Sequence, residues 1–150
     1  MKTKLLADLQ AQKTWAIVFD SGEEAMAGLS AFASSESIKS AHLTAIGAFS
    51  RATLGYFDWE ARKYIRIPVG EQVEVVALLG DIALEEDKPK VHAHAILGKN
   101  GGVTVGGHFL EGYVRPTLEV ILTESPKHLE RRFDAQSGIA LIRIDDSTQS

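Results

Sequence analysis

The chain has 150 residues, no cysteine, 45% hydrophobic and 24% charged residues, and a formal net charge of −4. That length fits one domain with a core large enough to fold without staples. The missing cysteines exclude disulfides and thiolate metal sites, so any metal must be held by histidines and carboxylates. The acidic balance, with basic residues scattered, argues against a nucleic-acid binder that works by phosphate neutralisation.

At the N-terminus, Asp8, Gln10 and Gln12 interrupt the apolar residues that a signal peptide would need. No stretch approaches the roughly 20 apolar residues that span a bilayer. A cytoplasmic location is the expectation. Thr14 to Asp20 is short, β-branched and aromatic, and reads as a strand. Ser21 followed by Glu24 forms a capping-box pattern, and Met26, Leu29, Phe32 and Ala33 follow helical spacing to about Ser35. This is the one principal helix expected, with its apolar stripe on a sheet.

From Ser40 the pattern changes to strands. Ala41 to Ser50 and Ala52 to Asp58 read as two runs, with Gly47 and Gly55 marking bulges or close contacts. A turn over Asp58 to Arg62 leads to a return at Tyr64 to Ile67. Val73 to Leu84 is an apolar strand around Gly80, and Glu85 to Lys90 is a charged loop. Val91 to Leu97, Val103 to Leu110 and Thr117 to Thr123 follow as strands. Lys127 to Arg132 reads as a short helical turn, Gly138 to Ile144 as a closing strand, and Asp145 to Ser150 as a polar tail. One helix followed by closely spaced strands predicts a single α+β domain, core about 14 to 144, built on a mainly antiparallel sheet.

The chemistry lies in three histidines. His92 and His94 are two apart in a predicted strand, so both imidazoles stand on one face. Lys99 to Gly102 is a hairpin signal, and the returning strand carries Gly106-Gly107-His108. A three-residue loop sets His94 opposite His108. A loop of two or four turns His108 away unless the glycine pair absorbs the offset as a bulge. An isolated H-x-H is a common surface pattern; a third histidine one hairpin away is what points to a divalent metal. Three neutral imidazoles leave one tetrahedral zinc position open.

The runs His92-Ala-His-Ala-Ile-Leu-Gly98, Gly106-Gly-His-Phe-Leu-Glu-Gly112 and Arg115-Pro-Thr-Leu-Glu-Val120 occur in the order found in a known family. With Gly47-Ala-Phe-Ser50 and Glu74-Val-Val-Ala-Leu-Leu-Gly80, they resemble the PPC domain, the plants and prokaryotes conserved domain. The resemblance covers about Thr14 to Ile144. It implies an α+β fold with one long helix, a homotrimer, and a metal site, zinc above all, at His92, His94 and His108. In plants the domain follows an AT-hook that reads A·T minor grooves, and prokaryotic members often carry a DNA-binding label. This chain has no such hook.

Glu111 and Glu119 are candidate partners for an imidazole or a general base beside a metal-bound water, and Arg115 is a candidate anion contact. A solvated or salt-bridged carboxylate is the favoured reading of each glutamate alone, since most carboxylates are exposed, and a simple pairing with an acid is the alternative for Arg115. His42 reads as a core or interface histidine and His128 as exposed; Ser50 and Thr104 read as structural. Trp15, Phe49, Tyr56, Phe57 and Trp59 read as core or subunit contacts, since no basic groove accompanies them. The glycine pairs lack the following helix and Lys-Ser/Thr signature of a phosphate loop. The sequence therefore predicts a metal-binding module that captures a small, anionic ligand or regulates. A DNA-associated regulator is the alternative, and a metal-dependent hydrolase or lyase the second alternative.

Overall fold

The computed structural model describes residues 1–9 and 12–144. Among them are nine strands and one helix: β1 Lys2–Leu9, β2 Gln12–Phe19, α1 Ala25–Ser35, β3 Ser40–Asp58, β4 Lys63–Val69, β5 Val73–Glu85, β6 Lys88–Gly98, β7 Thr104–Glu124, β8 Glu130–Asp134 and β9 Ile139–Arg143. The sheet runs β1-β2-β7-β3-β5-β8-β9, with β4 beside β3 and β6 bridging β5 and β7. The α+β class, mainly antiparallel with one helix, is as expected; only β5 and β8 pair in parallel.

The two runs predicted on either side of Arg51 are one strand, β3, and the runs predicted at Val103–Leu110 and Thr117–Thr123 merge into one strand, β7. Register slips between Ala45 and Gly47, Gly47 and Phe49, Phe49 and Arg51, and Thr53 and Leu54 bend β3 without ending it. The bend lets its first half pair with β5 and its second half with β4, while β7 follows it along nearly its whole length. Since β6 pairs with both β5 and β7, the hydrogen-bonded circuit β3-β5-β6-β7 closes. Closure removes the edges that these apolar strands would otherwise expose. The predicted charged loop shrinks to the two residues Glu86 and Asp87, both with positive φ, as a two-residue hairpin turn requires.

Alternation along the strands divides the sheet into two faces. Ala41, Leu43 and Ala45 of β3, Leu78 and Ile82 of β5, and Val91, Ala93, Ala95 and Leu97 of β6 are buried in one core cluster. Ala25, Leu29, Phe32 and Ala33 of α1 join it, so the helix buries the predicted stripe. Its start differs from the capping box. Gly22, at φ 92°, turns the chain and donates to the Val114 carbonyl, which leaves Ser21 before the turn and away from the helix amides. Glu24 is the N-cap instead. Its carboxylate accepts from the Met26 and Ala27 amides at 3.0 and 2.6 Å and from the Gly112 amide at 2.9 Å, tying α1 to β7.

The helical turn predicted for Lys127 to Arg132 is absent. Glu130–Asp134 is a strand, paired antiparallel with β9 and in parallel with the end of β5 at Leu84 and Glu85. Good helix formers yield here to tertiary pairing, which commonly overrides local propensity. The N-terminal β1, for which the sequence suggested no strand, pairs along β2 at the edge of the sheet. The predicted polar tail lies outside the described residues. Among the described residues no helix is long and apolar enough to cross a membrane.

Candidate metal centre

On the face of the circuit opposite the core, the β6–β7 hairpin brings the three histidines together. Lys99 N donates to Val103 O at 2.7 Å, closing a three-residue loop, and His94 pairs with His108 in an unbroken register from Gly98 and Thr104. The glycine pair is not needed as a bulge on β6. Gly107 serves a different end: a Cβ there would lie 2.7 Å from the Gly55 carbonyl oxygen, so glycine permits the close approach of β7 to β3 beside His108.

The ring centroids of His92, His94 and His108 are 5.0 to 5.4 Å apart, and one nitrogen from each lies within 4.8 Å of the others. Zn–N bonds of 2.0–2.1 Å in tetrahedral geometry need nitrogens about 3.4 Å apart. Small side-chain rotations cover the difference. The electrostatics disfavour protonation of two of the rings. Burial, and then the neighbouring positive charge of His92, His94, Lys90 and Arg131, pushes His108 down to about 4. Burial followed by His92 also lowers His94. Neutral imidazoles are the form that coordinates. Nδ1 of His108 is buried without a partner, and the ring stacks on Tyr64 at 4.5 Å. A buried polar atom left unpaired is costly unless a ligand completes it. On these observations the site fits a divalent cation.

Two residues that the sequence reading did not select stand behind His92. Asp81, on β5, pairs with His92 in register and places Oδ2 3.8 Å from its Nδ1. Arg131, on β8, donates from Nη2 to Asp81 Oδ1 at 2.6 Å and lies 3.2 Å from His92 Nδ1. Its side chain is only 7% exposed. Burial would raise the Asp81 carboxyl, but its interactions with the neighbouring His92 and with Arg131, which donates to it, outweigh burial and hold the group below its ordinary value.

A cleft of about 1010 Å³ opens over the cluster, between Phe57, Tyr64 and Leu110 on one side and the β8–β9 hairpin, with Phe133, Ile139 and Leu141, on the other. Among its lining residues Glu85, Glu86, Asp87 and Glu130 are acidic and Lys90, Arg131 and Arg132 basic. The other candidates lie elsewhere. Glu111 accepts from Thr53 Oγ1 at 2.7 Å and Arg66 at 2.8 Å, beside a separate small pocket. Arg115 and Glu119 are exposed on β7, Glu119 opposite Val18 and Ile46, and neither lines the cleft. His42 and His128 are exposed, Phe49 is fully buried, and Tyr56 and Trp59 are exposed.

Comparison with known proteins agrees with this architecture. The Plants and Prokaryotes Conserved (PCC) domain matches residues 7–126. The chain belongs to that family. A metal-containing protein from Archaeoglobus fulgidus is similar at 30% identity and a TM-score of 0.82, over 96% of this chain and 99% of its own. A plant- and prokaryote-conserved protein from Pyrococcus horikoshii is similar at 30% identity and a TM-score of 0.82, over 95% of each chain. A suggested DNA-binding protein from Ralstonia eutropha is similar at 28% identity and a TM-score of 0.81, over 87% of this chain and 91% of its own. No curated protein matches the chain. The family match ends before β8, so the hairpin that carries Arg131 and walls the cleft lies outside it.

Proposed function

We propose that this PCC-domain protein is a cytoplasmic, homotrimeric module that binds one zinc ion per subunit through His92, His94 and His108 and uses the open coordination position to capture a small ligand. The observation that carries the reading is the convergence of three imidazoles in the lining of a cleft, one of them with a buried, unpartnered nitrogen. Zinc suits a cysteine-free set of three histidines. When bound it would act as a Lewis acid toward a ligand oxygen. The Archaeoglobus relative, described as metal-containing, supports the same reading.

Self-association is supported by the outer face. Ile46, Leu79, Ile96 and Ile121 are exposed there, and strand register joins them to His94, which pairs with Leu79. Contiguous exposed apolar side chains mark an association surface. A partner subunit on that face would border the histidines. Glu111, Arg115 and Glu119 remain candidates for ligand contact only through such a partner. Chelator-competition titration with zinc, beside sedimentation analysis, tests both parts. The reading predicts saturable binding of one zinc per chain, weakened strongly by His94→Ala, and a trimer mass; unchanged affinity in His94→Ala contradicts it.

A DNA-binding role is favoured by the description of the Ralstonia relative. It predicts salt-sensitive retardation of A·T-rich duplex. The net charge of −4 and the acidic residues around the cleft weigh against it, and no gel shift at low salt would rule it out.

A further inference from the structure

We infer that Arg131 competes with the metal for His92, and that Asp81 is the positioning residue that returns His92 to its coordinating form. The inference rests on the metal reading above and assigns roles to two residues outside the histidine set.

A neutral imidazole has one nitrogen with a lone pair, and an arginine only donates hydrogen bonds. Where neutral His92 accepts from Arg131 Nη2, 3.2 Å from its Nδ1, the lone pair is on Nδ1 and the proton on Nε2. In that state Nε2 cannot coordinate a metal, and Nδ1 is already taken. Whichever nitrogen faces the cluster, the Arg131 hydrogen bond and coordination by His92 exclude each other. Metal binding therefore requires Arg131 to release Nδ1.

Asp81 makes the release inexpensive. It already holds Arg131 through Oδ1 at 2.6 Å, while Oδ2 lies 3.8 Å from His92 Nδ1. After a shift of about an ångström, Nδ1–H can donate to Oδ2, and Nε2 is left free with its lone pair toward the other histidines. Carboxylate support of this kind fixes the tautomer of a coordinating histidine. The carboxylate also offsets the guanidinium charge, which would otherwise oppose a divalent cation at close range.

Arg131 arrives on the β8–β9 hairpin, which joins the sheet through the short parallel pairing at Leu84 and Glu85 and a bond from Leu84 N to Leu129 O at 2.8 Å. The group that contacts His92 Nδ1 thus comes from the wall of the cleft.

The test uses zinc alone and the full chain. Zinc affinity is measured by chelator competition for the parent, Arg131→Met and Asp81→Asn, and the imidazole nitrogens of His92 are read by ¹⁵N NMR on the unmutated protein with and without zinc. We expect Arg131→Met to bind zinc roughly two- to tenfold more tightly, the factor one hydrogen bond is worth. Asp81→Asn should bind roughly ten- to a hundredfold more weakly, as removal of such a supporting group does. The proton of His92 should sit on Nε2 without zinc and on Nδ1 with it. Equal or weaker binding by Arg131→Met, or a proton on Nδ1 before zinc is added, overturns the competition while leaving the metal site standing. No zinc bound by the parent or by Arg131→Met overturns both. The NMR reading needs no variant, so it holds even if a substitution prevents folding.

Discussion

Replacing Gly107 by alanine should destabilise the fold and loosen the histidine cluster together. The backbone at Gly107 is ordinary for any residue, so only space is at issue. A Cβ would meet the Gly55 carbonyl oxygen at 2.7 Å and Leu54 Cβ at 3.5 Å. The first contact is main chain on a strand that pairs with β7 at this point, and no side-chain rotation relieves it. β3 and β7 must part locally, an overpacking cost of about 1–3 kcal/mol. For a domain of this size each kcal/mol moves Tm by roughly 2–4 °C, so a fall of about 2–12 °C is expected. His108 is the next residue, and its displacement should weaken zinc binding in parallel. Differential scanning calorimetry and chelator competition measure the two effects. Gly70→Ala is the control: nothing lies within 4 Å of its added Cβ, and its effect should stay within about 0.5 kcal/mol. An unchanged Tm in Gly107→Ala would refute the claim that glycine sets the β3–β7 spacing beside the site.

Glu24→Ala removes the carboxylate that caps α1 and holds the Gly112 amide; a loss of about 1–2 kcal/mol in urea unfolding is expected, with Glu24→Gln retaining part of it. In metal-free protein, His108 gives stability a pH dependence of defined sign. Its folded value, about 4, lies below the ordinary 6.5, so between these values the unfolded chain binds the proton and the folded one does not. That stability is fully present above pH 6.5 and is lost as pH falls to about 4, with His94 acting in the same direction. Denaturant midpoints measured across this window should fall with pH, and His108→Asn should flatten the slope.

The parts of the site that were legible in the sequence are those fixed by local periodicity. A strand places His92 and His94 on one side whatever the rest of the chain does. His108 was legible only conditionally, because one residue of loop length decides which way it faces, and the Lys99–Val103 closure supplies that length. Asp81 and Arg131 were not legible. Asp81 meets His92 through the β5–β6 register, and Arg131 reaches both through a parallel pairing across some 45 residues of chain, in a segment whose local composition suggests a helix. Glu111 was selected for being three residues from His108, but Thr53 and Arg66, on β3 and β4, claim its carboxylate. Each long strand reads as two in the sequence because register slips at positions such as Gly47 look like strand ends in one dimension, whereas the paired neighbour carries the strand through them. β1 escaped notice because its residues are mostly exposed and follow no alternation, as suits an edge strand bearing Lys2 and Lys4.

The central claim is that His92, His94 and His108 hold a metal. Metal analysis by inductively coupled plasma mass spectrometry on untagged protein, beside the His92→Ala/His94→Ala variant, tests it most directly. The account predicts close to one zinc per chain in the parent and none in the variant. A parent without metal, or a folded variant that keeps the parent's content, would contradict it.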